Sequence, residues 1–420
     1  MKNFICLLTI SLLMITQSLH AQWIKCSVPN TIFFSFAATP NNAEGGANLF
    51  AGSNGSGVFL STDDGTSWTA VNNGATFGEV RALAVMDTNL FAAAGLVFLT
   101  NNNGISWTPT ALSNLDAQAL AVSDTNVFAG TYLSGIYHSS NKGKSWTAVN
   151  SGLTGNALAV TGLIVSNKNL FAGTWGSGAF RSTDNGKTWT AVNNGITDHV
   201  HCFADSPNGI GGTNLFAGTF FGEGVYLSTD NGNSWTVIGS GMTNKNVRCL
   251  AISPIGAGSI NLYAGTWKGG VFLSNDNGTH WTDYSTGLTS NSVVNGLFVS
   301  GSYLFAGTDD GIWRRPLSDF TTNTEQINTD HTASGFGLEQ NYPNPFNSST
   351  KIWYQILSEE NVSLKVYSFL GKEVSTLVNG KKSAGNYEVE FASQSLPFGI
   401  YFYCLRAGNS IEIKKMIHSK

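Results

Sequence analysis

Two sets of side chains recur at fixed offsets in this sequence and could together bind a ligand. Four aromatic residues each follow a FAGT or YAGT segment: Tyr132, Trp175, Phe220 and Trp267. Flat aromatic rings can stack on the apolar faces of sugars, so these positions favour carbohydrate binding. Packing of the same four rings between neighbouring repeats is the alternative explanation.

The second set occupies one position of the apolar stretch that precedes each such segment. Across seven copies this position is mostly polar and mildly basic, and it reads Phe34, Arg81, Gln118, Thr161, His201, Arg248 and Asn295. Polar groups of this kind can donate hydrogen bonds to a ligand that stacks on the aromatic rings. Arg81, His201 and Arg248 are therefore candidate ligand-binding residues beside the four aromatic residues.

The spacing of acidic residues does not indicate catalysis. A glycosidase needs two carboxyl groups roughly 5–10 Å apart across the scissile bond. Nothing selects such a pair among the acids expected near the aromatic set, which are Glu79, Asp116, Asp198, Glu223, Asp309 and Asp310. We therefore predict no catalytic residues. A glycoside hydrolase acting on extracellular polysaccharide is one alternative, and a structural or adhesion protein of the cell surface is another.

Composition narrows the class of fold and of partner. The 420 residues carry a formal net charge of −4, and the sequence pI is near 6.0. The sequence therefore lacks the basic stripe that nucleic-acid backbones require, and we expect no nucleic-acid partner. Only 11% of residues are charged, whereas there are 48 glycines and 12% aromatic residues, a mixture that favours tightly turned β structure.

Cysteine spacing indicates neither a metal site nor a disulfide scaffold, and we expect no cofactor. Beyond the N-terminal region the cysteines are Cys26, Cys202, Cys249 and Cys404, and none forms a CxxC pair. Cys202 and Cys249 occupy the same position of two successive repeats. A disulfide between them and two separate buried packing residues are both compatible with that placement.

These residues all belong to one repeat. The motif NLFAGT or a close variant starts seven times, at Asn48, Asn89, Asn126, Asn169, Asn214, Asn261 and Tyr303. Six copies continue into a turn motif that ends in tryptophan, at Trp68, Trp107, Trp146, Trp189, Trp235 and Trp281. Successive tryptophans lie 39, 39, 43, 46 and 46 residues apart, which is the length of one four-stranded propeller blade.

The ends of the repeat region predict a closed ring. The seventh copy stops after Trp313-Arg314-Arg315 without a fourth strand, while Trp23-Ile24-Lys25 resembles a fourth strand without a blade. Pairing the two segments would leave no long open edge. We therefore predict an all-β chain with a seven-bladed β-propeller over residues 22–317.

The turn motif has the pattern Ser-x-Asp-x-Gly-x-Ser/Thr-Trp, as in residues 182–189 and 228–235. It resembles the Asp box, or BNR repeat, of sialidases and sortilin-type propellers. A short carboxylate can accept backbone N–H bonds within such a turn, and the tryptophan can pack under it. We expect structural roles for Asp63, Asp184, Asp230 and Asp276, and for Trp68, Trp189, Trp235 and Trp281.

The resemblance to sialidases does not extend to their chemistry. Sialidases hold a carboxylate with three arginines, and the repeat region here has only Arg81, Arg181, Arg248, Arg314 and Arg315. Arg181 adjoins an Asp box and is expected on the face opposite the aromatic set. The triad therefore cannot be assembled readily, and we do not expect a sialidase.

The sequence changes character after the repeats. Residues 318–337 are a polar run that predicts a linker, and residues 338–420 alternate as in a small β-sandwich. The segments NYPNPFN at 341–347 and Lys414-Lys415-Met416 resemble the type A C-terminal sorting domain of the type IX secretion system. The resemblance implies that residues 338–420 engage the type IX machinery and direct export across the outer membrane of a Gram-negative bacterium.

The N-terminus carries the pattern of a secretory signal. Lys2 precedes an apolar core at residues 4–15, and Ala21 provides the small residue before cleavage, so residues 1–21 are a predicted signal peptide. No later segment has eighteen consecutive apolar residues, which predicts no transmembrane helix in the mature protein. We expect a secreted or surface-displayed propeller, without catalysis, that binds a glycan or a protein partner.

Overall fold

A computed structural model describes residues 22–40, 47–112, 115–196, 199–208, 212–256, 259–317, 336–341, 344, 346–368, 373–393, 396, 399–408 and 410–418. The predicted signal peptide and nearly all of the predicted linker lie outside these residues. One short 3-10 helix, Gly155–Leu158, occurs in the described chain. No helix there is long and apolar enough to cross a membrane.

The repeats form seven four-stranded antiparallel sheets within the described residues. We call each sheet a blade, numbered one to seven from its position along the chain, and its strands A to D from the centre outwards. Side chains of the A strands alternate between buried and half-buried positions. The A strands are Phe33–Pro40, Ala82–Met86, Ala117–Ser123, Val160–Ser166, His199–Pro207, Val247–Gly256 and Val294–Ser300.

The B strands carry the NLFAGT motif and are buried almost throughout, because sheets cover both of their faces. The B strands are Ala47–Ser53, Asn89–Ala94, Asn126–Thr131, Asn169–Thr174, Thr213–Phe220, Ser259–Thr266 and Tyr303–Thr308. This double coverage explains why the motif reads as a nearly continuous apolar run rather than as a strict alternation.

The outer strands C and D are shorter. The C strands are Val58–Ser61, Leu96–Thr100, Gly135–Ser139, Gly178–Ser182, Val225–Ser228, Val271–Ser274 and Gly311–Pro316. The D strands are Thr69–Ala70, Thr108–Pro109, Thr147–Ala148, Thr190–Ala191, Thr236–Val237, Thr282–Asp283 and Ile24–Lys25. Since consecutive strands run antiparallel, the B–C and D–A connections share one face of the ring, and the A–B and C–D turns share the other.

The ring closes as the sequence predicts. Ile24 pairs with Arg314 and Lys25 with Trp313, so the N-terminal strand completes blade seven. Each A strand contacts the A strands of the blades on either side, including that of blade one against that of blade seven. The all-β propeller predicted from the repeat is therefore confirmed.

The Asp-box tryptophans also make hydrogen bonds that the sequence did not predict. Only the Trp68 indole Nε1 donates within its own turn, to the Gly65 carbonyl at 3.2 Å. The indoles of Trp189 and Trp235 instead donate to the Val149 and Val192 carbonyls of the preceding blade, at 2.8 Å each. Trp107 and Trp281 likewise donate to the preceding blade. These buried indoles therefore join neighbouring blades in addition to covering a turn.

Blade seven also has its tryptophan, supplied by the N-terminal strand. The Trp23 indole donates to the Tyr284 carbonyl of blade six at 2.7 Å, and the side chain is fully buried. Its backbone N–H bonds the Thr286 carbonyl at 3.0 Å, just as the Trp189 N–H bonds Ser151. The motif absent from the seventh copy is thus partly restored by the other end of the repeat region.

The C-terminal residues form two sheets around a separate core, as predicted. Gly337–Leu338, Ser349–Ile356 and Gly385–Ala392 make a three-stranded sheet. Glu373–Lys382, Glu360–Ser368, Gly399–Ala407 and Ser410–His418 make a four-stranded sheet. Buried apolar residues of both sheets, among them Ile352, Leu364 and Met416, fill the space between them.

The asparagines of the NYPNPFN segment hold this sandwich together. The Asn341 N–H donates to the Tyr403 hydroxyl at 2.7 Å, and the Asn341 side chain donates to the Thr350 hydroxyl at 2.9 Å. The Asn344 side-chain oxygen accepts the N–H of Ile417 at 2.8 Å, which fixes the last strand. The motif therefore ties the beginning of the domain to its end.

Candidate functional site

A cavity of about 280 Å³ lies where the A strands meet at the centre of the ring. The position singled out in the sequence lines it in every blade, as Phe34, Arg81, Gln118, Thr161, His201, Arg248 and Asn295. The structure therefore brings all seven residues together at one place.

β-Bulges explain how one residue of each A strand reaches the cavity. The pairing between strands A and B skips a residue at the same point of six blades, for example at His201 between Val200 and Cys202, and at Arg248 between Val247 and Cys249. In blade two, Arg81 immediately precedes strand A and its N–H bonds the Ala93 carbonyl at 2.9 Å. A bulge re-aims the side chain of the extra residue, here towards the centre of the ring.

The basic residues of the cavity are held by aromatic rings. The Arg248 guanidinium lies 5.0 Å from the centroid of the Trp267 ring, and that of Arg81 lies 5.2 Å from the Phe34 ring. Arg81 also forms an ion pair with Glu79 through its Nη2 atom. Contact with an aromatic ring holds a guanidinium in place without neutralising its charge. The charge of Arg81 is reduced by Glu79, whereas that of Arg248 is not.

The third basic residue is neutral at ordinary pH. Burial of the imidazole, followed by the charges of Arg248 and Arg81, lowers the pKa of His201 to about 3. Desolvation likewise lowers the pKa of Arg248 from its usual value. Because both arginines act on the same imidazole, the three side chains form one electrostatic cluster even though they come from blades two, five and six.

Three of the four predicted aromatic residues form part of a continuous surface, which we call the aromatic ledge. It consists of Trp175, His199, Phe220, Phe221 and Trp267. The Phe220 ring lies 6.1 Å from both tryptophan rings, between centroids, and 4.5 Å from Phe221. Trp175 also contacts His199 at 4.5 Å. The ledge thus spans blades four to six at the face that carries the B–C connections.

The ledge faces solvent rather than the interior of the blades. Trp175 and Trp267 each keep 39% of their surface exposed, and Phe221 keeps 68%. Phe220 between them is half-buried. The two tryptophans therefore combine packing against neighbouring side chains with a surface that a ligand could contact, and Phe220 is packed more closely between them.

Tyr132 is the fourth predicted aromatic residue, and it stands apart. Its side chain is 54% exposed. Within the described residues the ring contacts of the ledge begin at Trp175 and do not include Tyr132. The structure therefore groups three of the four predicted rings and leaves the one on blade three separate.

Two members of the ledge, His199 and Phe221, were missed from the sequence. Phe221 follows Phe220 in the B–C connection and adopts a left-handed backbone conformation with φ of 65°. Its N–H donates to the Asn246 side chain of blade six at 2.9 Å, which holds the turn against the next blade. The consecutive Phe220-Phe221 pair was the available signal, but alternation in an extended strand would have placed the second ring on the opposite side.

The acidic residues expected at this face are engaged in local contacts. Glu223 pairs with Lys245, and Asp116 accepts a hydrogen bond from the Gln118 side chain at 2.7 Å. Asp309 accepts the Val293 N–H at 3.1 Å, and Asp310 accepts bonds from Thr289, Thr308 and Trp313. Asp198 lies outside the described residues. Of the described residues that line the cavity, none is Asp or Glu.

Cys202 and Cys249 both line the cavity and are free thiols. Burial raises the pKa of both, which keeps them protonated. The Cys249 thiol lies 3.6 Å from the Val294 carbonyl of the next blade. Of the two readings left open by the sequence, the structure shows separate packing residues rather than a bridge.

The Asp boxes lie on the face opposite the ledge. Asp184 accepts the Thr188 N–H at 2.9 Å, the Thr188 hydroxyl at 2.6 Å and the Ser182 hydroxyl at 2.8 Å. Asp63, Asp230 and Asp276 accept corresponding bonds in their own turns. Arg181 also lies on this face, bonded to the Asn231 carbonyl at 2.7 Å, away from the cavity.

Comparison with protein families matches three parts of the chain. Residues 340–419 match the secretion system C-terminal sorting domain. Residues 43–153 match the DUF6242 beta propeller domain, and residues 180–191 match the BNR/Asp-box repeat. No curated protein matches the chain.

Solved structures share the fold at low sequence identity. The extracellular domain of a putative one-component system from B. thetaiotaomicron has a TM-score of 0.56 at 15% identity, over 87% of this chain and 48% of that one. A GH74 xyloglucanase from Xanthomonas campestris also has a TM-score of 0.56 at 15% identity, over 87% of this chain and 63% of the enzyme. YCF48 from Cyanidioschyzon merolae has a TM-score of 0.53 at 13% identity, over 70% and 98%.

These likenesses establish the fold alone, and the chain spans about half the length of the first of these structures. The family matches also indicate where the protein is located, because a sorting domain of this kind directs export through the type IX system to the cell surface or beyond. It also implies contact with the secretion machinery. The chain is therefore an exported β-propeller protein with BNR/Asp-box repeats and a C-terminal type IX sorting domain.

Proposed function

We propose that the propeller binds an extracellular carbohydrate on the aromatic ledge and does not cleave it. The observation that carries the proposal is the continuous row of Trp175, Phe220 and Trp267, with two tryptophans exposed to solvent. A cluster of exposed large aromatic side chains is a feature of interaction sites.

The ledge offers separate ring faces for a sugar chain, because the Phe220 ring is tilted by 32° from Trp175 and stands at 87° to Trp267. Successive rings lie 6.1 Å apart between centroids, and Phe221 and His199 widen the surface beside them. Rigid aromatic side chains offer large contact area at low conformational cost. The cavity at the edge of the ledge supplies polar groups, since the His201 ring lies 6.1 Å from Phe220.

The absence of catalysis is proposed from the acids that the structure describes. Those near the ledge are held by neighbouring donors, as Glu79 is by Arg81 and Glu223 by Lys245. A general acid needs a raised pKa. Among the described carboxyl groups, desolvation raises the pKa of Asp205. This residue lies six positions along strand A from His199, towards the face opposite the ledge, and is therefore not placed to act on a ligand there.

Two alternatives have their own support. A GH74 xyloglucanase shares the fold, so a glycoside hydrolase stays a candidate. A solved complex of YCF48 with D1 peptide, at 18% identity and a TM-score of 0.53 over 72% of this chain and 97% of that one, shows that a related fold can bind a peptide. A structural or adhesion role without a small ligand is the remaining alternative.

A glycan-array screen of the purified full chain tests the proposal. The matched variant is Trp175→Ala/Trp267→Ala, and Ile105→Ala, an exposed residue of an Asp-box turn, is the control. If each ring contributes about 0.5–1.5 kcal/mol, the double variant should bind roughly 5- to 150-fold more weakly. Binding that the folded double variant retains, or release of shorter products from the bound glycan, would contradict the proposal.

A further inference from the structure

We propose that the cavity at the centre of the ring is an anion subsite, which accepts a carboxylate or ester sulfate of an acidic saccharide bound on the aromatic ledge. The inference rests on the proposed carbohydrate binding and specifies the class of glycan. The charge of the cavity, its lining residues and its size support this assignment.

The cavity is cationic. Its described lining includes the charged side chains of Arg81 and Arg248 beside the neutral His201 ring, and it contains no Asp or Glu. Glu79 pairs with the Nη2 atom of Arg81 and reduces the charge on that side. Arg248 makes no ion pair with any described residue, and its guanidinium packs over the Trp267 ring. An unneutralised guanidinium in a partly buried cavity attracts an anion.

Two guanidinium donors and one imidazole nitrogen in this cavity lack a hydrogen-bond partner within the described chain. They are the Nε atoms of Arg81 and Arg248 and the Nδ1 atom of His201, and all three are buried. Buried polar atoms are ordinarily satisfied, and those that are not call for an explanation. The three side chains line one cavity from blades two, five and six, so an anionic group placed there would lie beside both guanidinium groups.

The position and size of the cavity match one charged group of a larger ligand. Binding pockets for whole small molecules are usually about 300–1,000 Å³, so a space of about 280 Å³ suits one substituted sugar unit. Arg248 stacks on Trp267, and Phe220 lies beside His201, so cavity and ledge are continuous. A chain lying on the ledge can thus place one anionic substituent in the cavity.

Titration calorimetry on the purified full chain tests the subsite with two matched pairs of probes. One pair is an oligogalacturonate and its fully methyl-esterified form, and the other is a sulfated fucan oligosaccharide and its desulfated form. Hydrogen bonds to a charged group predict that at least one acidic member binds roughly tenfold to 100-fold more tightly than its neutral partner. The pair that responds identifies carboxylate or sulfate as the ligand group.

Variants separate the cavity from the ledge. Arg248→Gln should weaken binding of the acidic member more than binding of the neutral member and so remove the preference, and Arg248→Lys should restore part of it. Trp267→Ala should weaken both members. Arg181→Gln, on the opposite face, should change neither affinity.

Four outcomes would contradict the inference. Equal affinity for acidic and neutral members, or a preference that survives Arg81→Gln/Arg248→Gln, refutes the anion subsite but leaves glycan binding intact. Arg248-dependent binding of an acidic peptide, with no acidic saccharide bound, refutes the assigned ligand class. Failure of the chain to bind any glycan refutes both this inference and the proposed function.

Discussion

The carboxylate of each complete Asp box is held by hydrogen bonds within its own turn. Three such bonds stabilise the charged form of Asp184 and lower its pKa to about 2. In blades two and three, the side-chain oxygens of Asn102 and Asn141 accept two corresponding bonds, and their amide nitrogens donate the third to a serine hydroxyl. The turn therefore requires a short acceptor at this place, and the charge of the acceptor is secondary.

Replacing Asp184 with asparagine should therefore cost little and alter the dependence of stability on pH. Because the folded-state pKa lies below the unfolded value of 3.8, the carboxylate stabilises the fold fully above that value and loses its effect as pH falls towards 2. Asp184→Asn should have a slightly lower Tm at pH 7, and the difference from the native chain should vanish near pH 2. Thermal denaturation across this range measures the difference, and a gap independent of pH would contradict the assignment.

At the residue scale, the sequence predicted which positions meet in the cavity but not how. Internal repetition aligned Arg81, His201 and Arg248, and the alignment alone placed them together. The bulges that aim these residues inwards leave no distinct signal, because a bulge changes the hydrogen-bond register without demanding a particular residue. Phe221 was missed for a related reason, since its left-handed backbone is set by contact with blade six.

At the scale of elements, the two-residue strand Ile24–Lys25 closes the ring, and Trp23 before it joins blade seven to blade six. The Trp23 side chain is buried and donates to the Tyr284 carbonyl. Arg315 of the same blade lies 3.5 Å from the Tyr284 ring centroid and donates to the same carbonyl at 3.1 Å. Closure thus depends on packing around one tyrosine as well as on strand pairing.

Removing the Trp23 side chain should destabilise the propeller severely. Truncation of a buried tryptophan typically costs about 3–5 kcal/mol, so Trp23→Ala should lower the free energy of unfolding by that amount. Ile24→Ala is the matched control, since Ile24 is 55% exposed and its loss should cost little. Denaturant unfolding of the full chain compares the two variants, and similar losses would show that the indole does not secure the closure.

Some contacts between neighbouring blades could not be predicted from the sequence. The glycine of NLFAGT was not assigned a role, yet a Cβ atom at Gly52 would lie 2.7 Å from the Val80 carbonyl of the next blade. At Gly173 the same added atom would collide with the Val200 carbonyl. The indole bonds between blades were likewise unforeseen. Both features depend on the distance between neighbouring sheets, which a pattern within one repeat does not contain.

At the scale of the whole molecule, the repeat region and the C-terminal sandwich have separate tasks. The sandwich has its own core, and its matched family directs export. The bounds predicted for the signal peptide, the linker and the domains stay predictions. The fold and the export route could be predicted from the sequence because both depend on recurring or characteristic motifs. The extent of the ledge could not, because it depends on how blades four to six pack together.

Deletion of residues 338–420 should block export without abolishing the propeller. In a Gram-negative host with a type IX system, the shortened chain should accumulate inside the outer membrane, because the sorting domain is missing. The full chain with Trp175→Ala/Trp267→Ala should still reach the surface or medium. Cell fractionation distinguishes these locations, and export of the shortened chain would show that residues 338–420 are not the export signal.

We propose that the ledge and the cavity beside it form one carbohydrate site. A crystal structure of the full chain with an oligosaccharide selected on the array tests it most directly. We predict an intact sugar chain stacked on Trp175 and Trp267, with a charged substituent beside Arg248. A sugar bound on the Asp-box face would contradict the proposed position of the site. A cleaved product held between two carboxylates would contradict the proposal that the glycan is bound without cleavage.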